Sequence, residues 1–156
     1  MHEAQKKNKV FIASDHAGIE LKALIQKSLP SWNWEDLGPT LPGSVDYPDL
    51  ATKLANKVAQ DTATLGVLIC GSGIGMSIAA NKVDGIRAAS IESVESARLS
   101  REHNNANVLC IGARLLTPPK ALEIVRQWLV TPFSNESRHN HRITKITALE
   151  KTRNPK

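Results

Sequence analysis

A thiol followed at once by glycines is the most chemically pointed stretch of this 156-residue chain: LGVLICGSGIGMSIAANK, residues 65–82. Cys70 closes an apolar run. Gly71, Gly73 and Gly75 follow within five positions, with Ser72 and Ile74 between them, and helical spacing begins near Met76. Successive glycines let backbone N–H groups turn toward one point and let a ligand come close. A helix start adds a positive end. Together these predict an anion hole, for a phosphate or for an oxyanion that develops during a reaction. A glycine-rich turn alone would more simply be a packing device, but Cys70 shifts that balance. A thiol at a strand end beside a helix start is favoured as the thiolate, which serves as nucleophile or general base. Cys110, inside NVLCIGA, reads as an inert apolar residue.

The loop is not a Walker A loop, because no Gly-Lys-Ser/Thr ends it. Nor is it a cysteine phosphatase loop, which needs Arg six positions after the Cys, where this chain has Met76. Gly71 and Gly73 match the first two glycines of the dinucleotide fingerprint, but Gly75 comes one position early. Glu92, at the end of the next strand, could stand in for the ribose-binding acid, so dinucleotide binding stays as an alternative.

Other candidates are spread along the chain. His103 lies in SREHNNANVL beside Asn104, Asn105 and Asn107, and histidine is the usual acid/base at neutral pH, although a histidine near a helix end is commonly just a surface residue. Asp15 and His16 end the first apolar run, where Asp15 can equally cap the helix that follows. Arg138 and Arg142 are four apart and share a helix face, which suits a phosphate or simply a solvated basic surface. His139 and His141 are two apart and diverge on a helix, which argues against zinc.

The elements that must position these residues alternate. Val10–Ala13 reads as a buried strand, and Ile19, Leu21, Leu24, Ile25 and Leu29 as a helix closed by Pro30. WNWEDLG is a second strand and PTLPGSVDYP a loop. Helices are expected over 49–60, 76–82, 94–102, 120–129 and 137–151, with strands at LGVLIC, GIRAASIES and NVLCIGA. Five strands alternating with helices predict a single doubly wound, Rossmann-like α/β domain with a parallel sheet covered on both faces. A C-terminal helix is left over, of the kind that packs on a neighbouring subunit or over a site. Ligands in such sheets sit at the carboxyl ends of the strands, which singles out Asp15, His16, Cys70 with its loop, Glu92 and Arg114.

Composition bounds the rest. At 41% hydrophobic residues the chain fits a soluble globular protein. No run of about 18 apolar residues suggests a membrane span. MHEAQKKNK is not a secretion signal, and residues 1–8 read as a mobile extension before a domain over 9–153. Two cysteines without a CxxC pattern point to reduced thiols in a cytoplasm. The net charge of +5 is concentrated toward the two ends. It suits solvated termini or an anionic substrate; nucleic-acid binding has little support without interleaved aromatics or a recognised module.

Several separated motifs then coincide: SDHAG with ELK after it, DYPD, LICGSGIGMSIAANK with GIRAA, SREHNNANVL, GAR and RHNHR. In this order they resemble type B ribose-5-phosphate isomerase, within the wider group that includes galactose-6-phosphate and allose-6-phosphate isomerases. The resemblance covers Val10 to about Arg153. It implies a phosphorylated sugar substrate, aldose–ketose isomerisation through an enediolate, and no metal or redox cofactor. It implies Cys70 as the base that moves the proton between C1 and C2, and Gly71, Ser72, Gly73, Ile74 and Gly75 as the loop that stabilises the enediolate. His103 is implied as the acid that opens the furanose ring, Asp15, His16, Tyr47 and Asn104 as substrate contacts, and Arg114, Arg138 and Arg142 as phosphate and substrate contacts. Some members carry a glutamate at the position of Gly75 in place of the thiol, so this chain falls in the cysteine subtype. A homodimer or tetramer with sites shared between subunits is implied as well. A six-carbon sugar phosphate stays as the alternative substrate.

Overall fold

The computed structural model describes residues 8–43 and 45–153. The expected extension over 1–8 therefore lies, except for Asn8, outside the described residues. Five parallel strands form one sheet: β1 (Lys9–Ser14), β2 (Asn33–Asp36), β3 (Leu65–Cys70), β4 (Ala88–Ser90) and β5 (Val108–Gly112). Six helices cover or flank it: α1 (Ile19–Ser28), α2 (Tyr47–Ala59), α3 (Ile74–Ala80), α4 (Val94–Glu102), α5 (Pro118–Val130) and α6 (Ser137–Arg153). The strand order is β2-β1-β3-β5-β4, the doubly wound α/β arrangement that the alternation predicts.

The period-2 alternation of the strands sorts their side chains into two apolar layers. Val10, Ile12, Val67, Ile69, Leu109 and Ile111 pack against α1, α4 and α5, where Trp128 is fully buried. Phe11, Ala13, Leu68, Cys70, Val108 and Cys110 face α2 and α3. Burial on both faces is why these strands read as continuous apolar runs rather than alternating ones. Cys110 is completely buried, and burial pushes its thiol far above the ordinary value, as befits an inert core residue.

Several boundaries differ from the sequence expectation. α2 begins at Tyr47 instead of Asp49, because Asp46 has extended backbone and Pro48 falls in the first turn, where its missing N–H costs nothing. α3 begins at Ile74 instead of Met76, straight after Gly73 in the left-handed conformation (φ 79°). β4 keeps only three residues of GIRAASIES. α5 starts two residues early on a Thr117 cap, and α6 runs on to Arg153.

The chain direction fixes where function can sit. β1 leads outward to β2 on one side, while β3 lies on its other side. The carboxyl ends of β1 and β3 therefore flank the switch point, where doubly wound sheets open a crevice. There the Asp15 N–H donates to the Ile69 carbonyl at 3.0 Å. No helix among the described residues is long and apolar enough to cross a membrane.

Candidate active site

Cys70 is the last residue of β3, 4% exposed, and pairs with Gly112 at the end of β5. The glycine loop folds back over its sulfur. The Gly73 N–H donates to Cys70 Sγ at 3.1 Å, which is the donor a thiolate needs. The backbone that carries this N–H is left-handed at Gly73. A Cβ there would lie 2.9 Å from the Ile111 carbonyl carbon, so the position excludes side chains on steric grounds too. Ser72 Oγ accepts from the Ile74 N–H at 3.2 Å and so braces the turn.

Three other elements close on this loop. The turn after β5 docks through the Ala113 N–H on the Cys70 carbonyl (2.8 Å) and the Arg114 N–H on the Gly71 carbonyl (3.0 Å). This docking lays the Arg114 guanidinium along Gly71, where a Cβ would meet Nη1 at 3.2 Å. From the first turn of α2, Tyr47 covers Gly75 with its ring. Asp15 is buried at the end of β1 and accepts from the Ala17 N–H at 2.9 Å, the capping role that its position allows, while His16 beside it is exposed. Asp15, His16, Tyr47, Cys70–Gly75 and Arg114 thus gather at the carboxyl edge of the sheet.

The remaining candidates gather at the opposite edge. His103 caps the C-terminus of α4, five residues before β5 begins. β5 then runs from Val108, opposite Gly66, to Gly112, opposite Cys70, a span of about 13 Å. Within one chain His103 and Cys70 are therefore on opposite edges of the sheet. With His103 lie Asn104 and the start of α6. The Ser134 N–H donates to the Glu102 carbonyl (3.1 Å) and so brings the segment before α6 against α4. His139 is buried, and its ring stacks on that of His103 with centroids 4.4 Å apart. Arg138 pairs with Glu136 at 2.8 Å and holds that carboxyl below its usual value; both Arg138 and Arg142 are exposed.

Two residues here escape a reading of the sequence. Arg87, at the mouth of β4, donates from Nε to the carbonyls of Asn104 and Asn105 at 3.1 Å each, and so sets the backbone beside His103. His139 looks, in sequence, like half of a diverging histidine pair. Only the meeting of α4 with α6 makes it a partner of His103. Glu92 drops out as a ribose acid. It follows β4, and β5 separates β4 from the glycine loop on β3, whereas the dinucleotide fingerprint needs adjacent strands.

Residues 10–146 match the Ribose/Galactose Isomerase family. The chain belongs to that family. Among its relatives is a probable ribose-5-phosphate isomerase B of Mycoplasma pneumoniae, 43% identical over 150 residues that make up 94% of this chain and 98% of the relative. The fold overlays on the type B ribose 5-phosphate isomerase of Trypanosoma brucei with a TM-score of 0.89 at 44% identity, covering 92% of this chain and 99% of that one. It also overlays on ribose-5-phosphate isomerase B of Mycoplasma genitalium, solved with bound ribulose-5-phosphate, with a TM-score of 0.88 at 44% identity and coverage of 92% and 96%. The family's five-stranded fold thus extends over almost the whole of this chain.

Proposed function

We propose that this protein interconverts ribose 5-phosphate and ribulose 5-phosphate, with Cys70 as the base. The observation that carries the reading is the Gly73 N–H held on a buried Cys70 Sγ inside a loop of glycines. A relative 44% identical that binds ribulose-5-phosphate supports the same substrate class.

In this mechanism His103 first passes a proton to the ring oxygen; the bond between C1 and that oxygen breaks, and the C1 hydroxyl loses its proton to water to become the carbonyl of the open aldose. The Cys70 thiolate then removes the C2 proton of the open aldose. The C1 carbonyl oxygen becomes the enediolate oxyanion, which backbone N–H groups of residues 71–75 receive; donors fixed in advance contribute several kcal/mol to such a step. A proton passes from O2 to O1, and return of the abstracted proton from the Cys70 thiol to C1 then gives the ketose and restores the thiolate. Arg114, Arg138 and Arg142 hold the phosphate, and Asp15, His16, Tyr47 and Asn104 hold the sugar, so that remote binding energy positions the reacting carbons. No step calls on a metal or redox cofactor.

The two halves of this machinery lie on opposite edges of one chain, so the site is completed by a second copy: the thiol loop of one protomer meets His103, Asn104 and the arginines of α6 on its partner. Ile74, Ile78 and Leu115, each more than half exposed around the thiol loop, supply an apolar surface for that contact. The test is turnover of ribose 5-phosphate by purified protein in the presence of EDTA, with allose 6-phosphate as the six-carbon comparison. Rapid turnover of the pentose is expected, and preference for the hexose would overturn the substrate assignment. Co-expressing the Cys70→Ala and His103→Ala chains should restore about a quarter of wild-type activity, through mixed dimers that hold one intact site. No restoration would return both residues to one protomer's site.

A further inference from the structure

Among the described residues α6 buries one side chain, His139, at its first turn, while its far end is held by the Gly85 N–H on Glu150 (2.8 Å) and by Arg153 on Asp84 (2.9 Å). A buried imidazole must satisfy its nitrogens or lose on the order of 1–3 kcal/mol, a demand that a leucine of similar bulk would not make. His139 meets part of it with a 2.7 Å hydrogen bond between Nδ1 and Ser134 Oγ. Ser134 is itself fixed: its N–H donates to the Glu102 carbonyl at 3.1 Å, and its hydroxyl accepts from the Glu136 N–H at 3.3 Å. The ring is thereby clamped to the residue that precedes His103.

Its face is turned to the His103 ring, with centroids 4.4 Å apart and planes inclined by 32°. Among the described residues no hydrogen bond reaches the His103 imidazole, and His139 is its one ring contact. A half-buried imidazole at the C-terminal cap of a helix has two side-chain torsions to fix, and this ring contact restricts them.

We propose that His139 is a positioning residue for His103, a buried aromatic platform that holds the His103 imidazole in the orientation needed to pass a proton to the sugar ring. The proposal rests on the reading of His103 as the ring-opening acid. Burial, then the charges of His103, Arg138 and Arg142, lower the pKa of His139 below the ordinary imidazole value against the pull of Glu136. The shift favours the neutral form of the platform, which keeps charge off the ring that faces His103.

The test compares His139→Ala with His139→Phe in the full chain by two readouts: kinetics with ribose 5-phosphate, and the ring-proton resonances of His103 in the unliganded protein. His139→Ala should lower kcat on the order of tenfold or more, as small misplacements of catalytic groups do. Its KM should stay within about threefold, because the phosphate arginines are untouched. His139→Phe keeps an aromatic face and should recover most of the loss. The His103 resonances should shift in the Ala variant as the stacked ring disappears. If the Ala chain fails to fold, His139→Leu, with similar bulk and no aromatic face, takes its place. An unchanged kcat, an unmoved His103 resonance, or a loss confined to KM, as expected of a mere anchor for α6, would each overturn the proposal. A wild-type protein without turnover would instead overturn the functional reading, and the His103 resonances alone would then decide whether His139 positions it.

Discussion

The ring of Tyr47 stands where a side chain on Gly75 would begin: a Cβ at residue 75 would lie 2.5 Å from Tyr47 Cζ and 2.7 Å from Oη. The bare backbone of Gly75 therefore lets α2 press a phenol against the thiol loop. Gly75→Ala is expected to swing the exposed ring aside, at a stability cost of about 1 kcal/mol or less, and to raise the KM for the sugar phosphate. If the two residues act as one unit, Tyr47→Ala added to Gly75→Ala costs little more than either alone. Steady-state kinetics on the four proteins of the cycle measure this.

Cys70→Ala is expected to abolish turnover by about 10²–10⁴-fold, the usual contribution of a positioned base. The fold should survive, because Cys70 closes its strand and the loop is held equally by the Ala113 and Arg114 N–H bonds. Activity together with the thermal midpoint checks both halves. Wild-type rates in this variant would sink the base assignment.

His103→Ala should harm turnover of the ring-closed aldose more than that of a substrate fixed in open-chain form, by on the order of 10–100-fold. The ratio of kcat/KM values for the two substrates is the measurement, and equal losses would argue against ring opening.

Arg138→Ala and Arg142→Ala are each expected to raise KM roughly tenfold with kcat little changed, as loss of a charge-assisted phosphate contact does. Arg138 is the more informative, because it leaves Glu136 for the phosphate: Glu136→Gln should lower KM modestly. An unchanged KM in the arginine variants would count against a phosphate clamp.

A stability prediction concerns the loop before α2. Lys22 is 2% exposed; its Nζ pairs with Asp36 Oδ1 at 2.8 Å and donates to the Pro39 carbonyl. Burial alone would raise the Asp36 pKa, but hydrogen bonds from Lys22, Gln26 and the Gly38 N–H outweigh it, and the carboxyl is held below the ordinary value. A depressed folded pKa means stability fully present above about pH 4 and lost as the pH falls through the folded value. Asp36→Ala, which leaves the buried ammonium without its counter-ion, should cost about 3 kcal/mol at neutral pH. It should also flatten the acid side of the stability profile, as urea unfolding at pH 3 and pH 7 would show.

By itself the sequence determined the units of this protein. The apolar runs Val10–Ala13, LGVLIC and NVLCIGA read as strands and the spacing after each as helical, and the structure has them so. CGSGIG announced a loop of exposed N–H groups after a thiol, because glycine's freedom is a local property. Where helices begin was less legible: Tyr47 and Ile74 fall inside helices whose first turns carry proline or glycine, residues that read as loop until the cap is seen. What no local signal carries is adjacency. That β5 inserts between β3 and β4 is a matter of tertiary packing, and it is this insertion that lays Arg114 on Gly71 and strips Glu92 of its apparent role. That His103 leans on His139, and that it lies a full strand length from Cys70, follows from α4 and α6 meeting at the amino edge of the sheet. The residue types were written in the chain, but their pairing depended on contacts between segments tens of residues apart, which only the packed tertiary structure brings together.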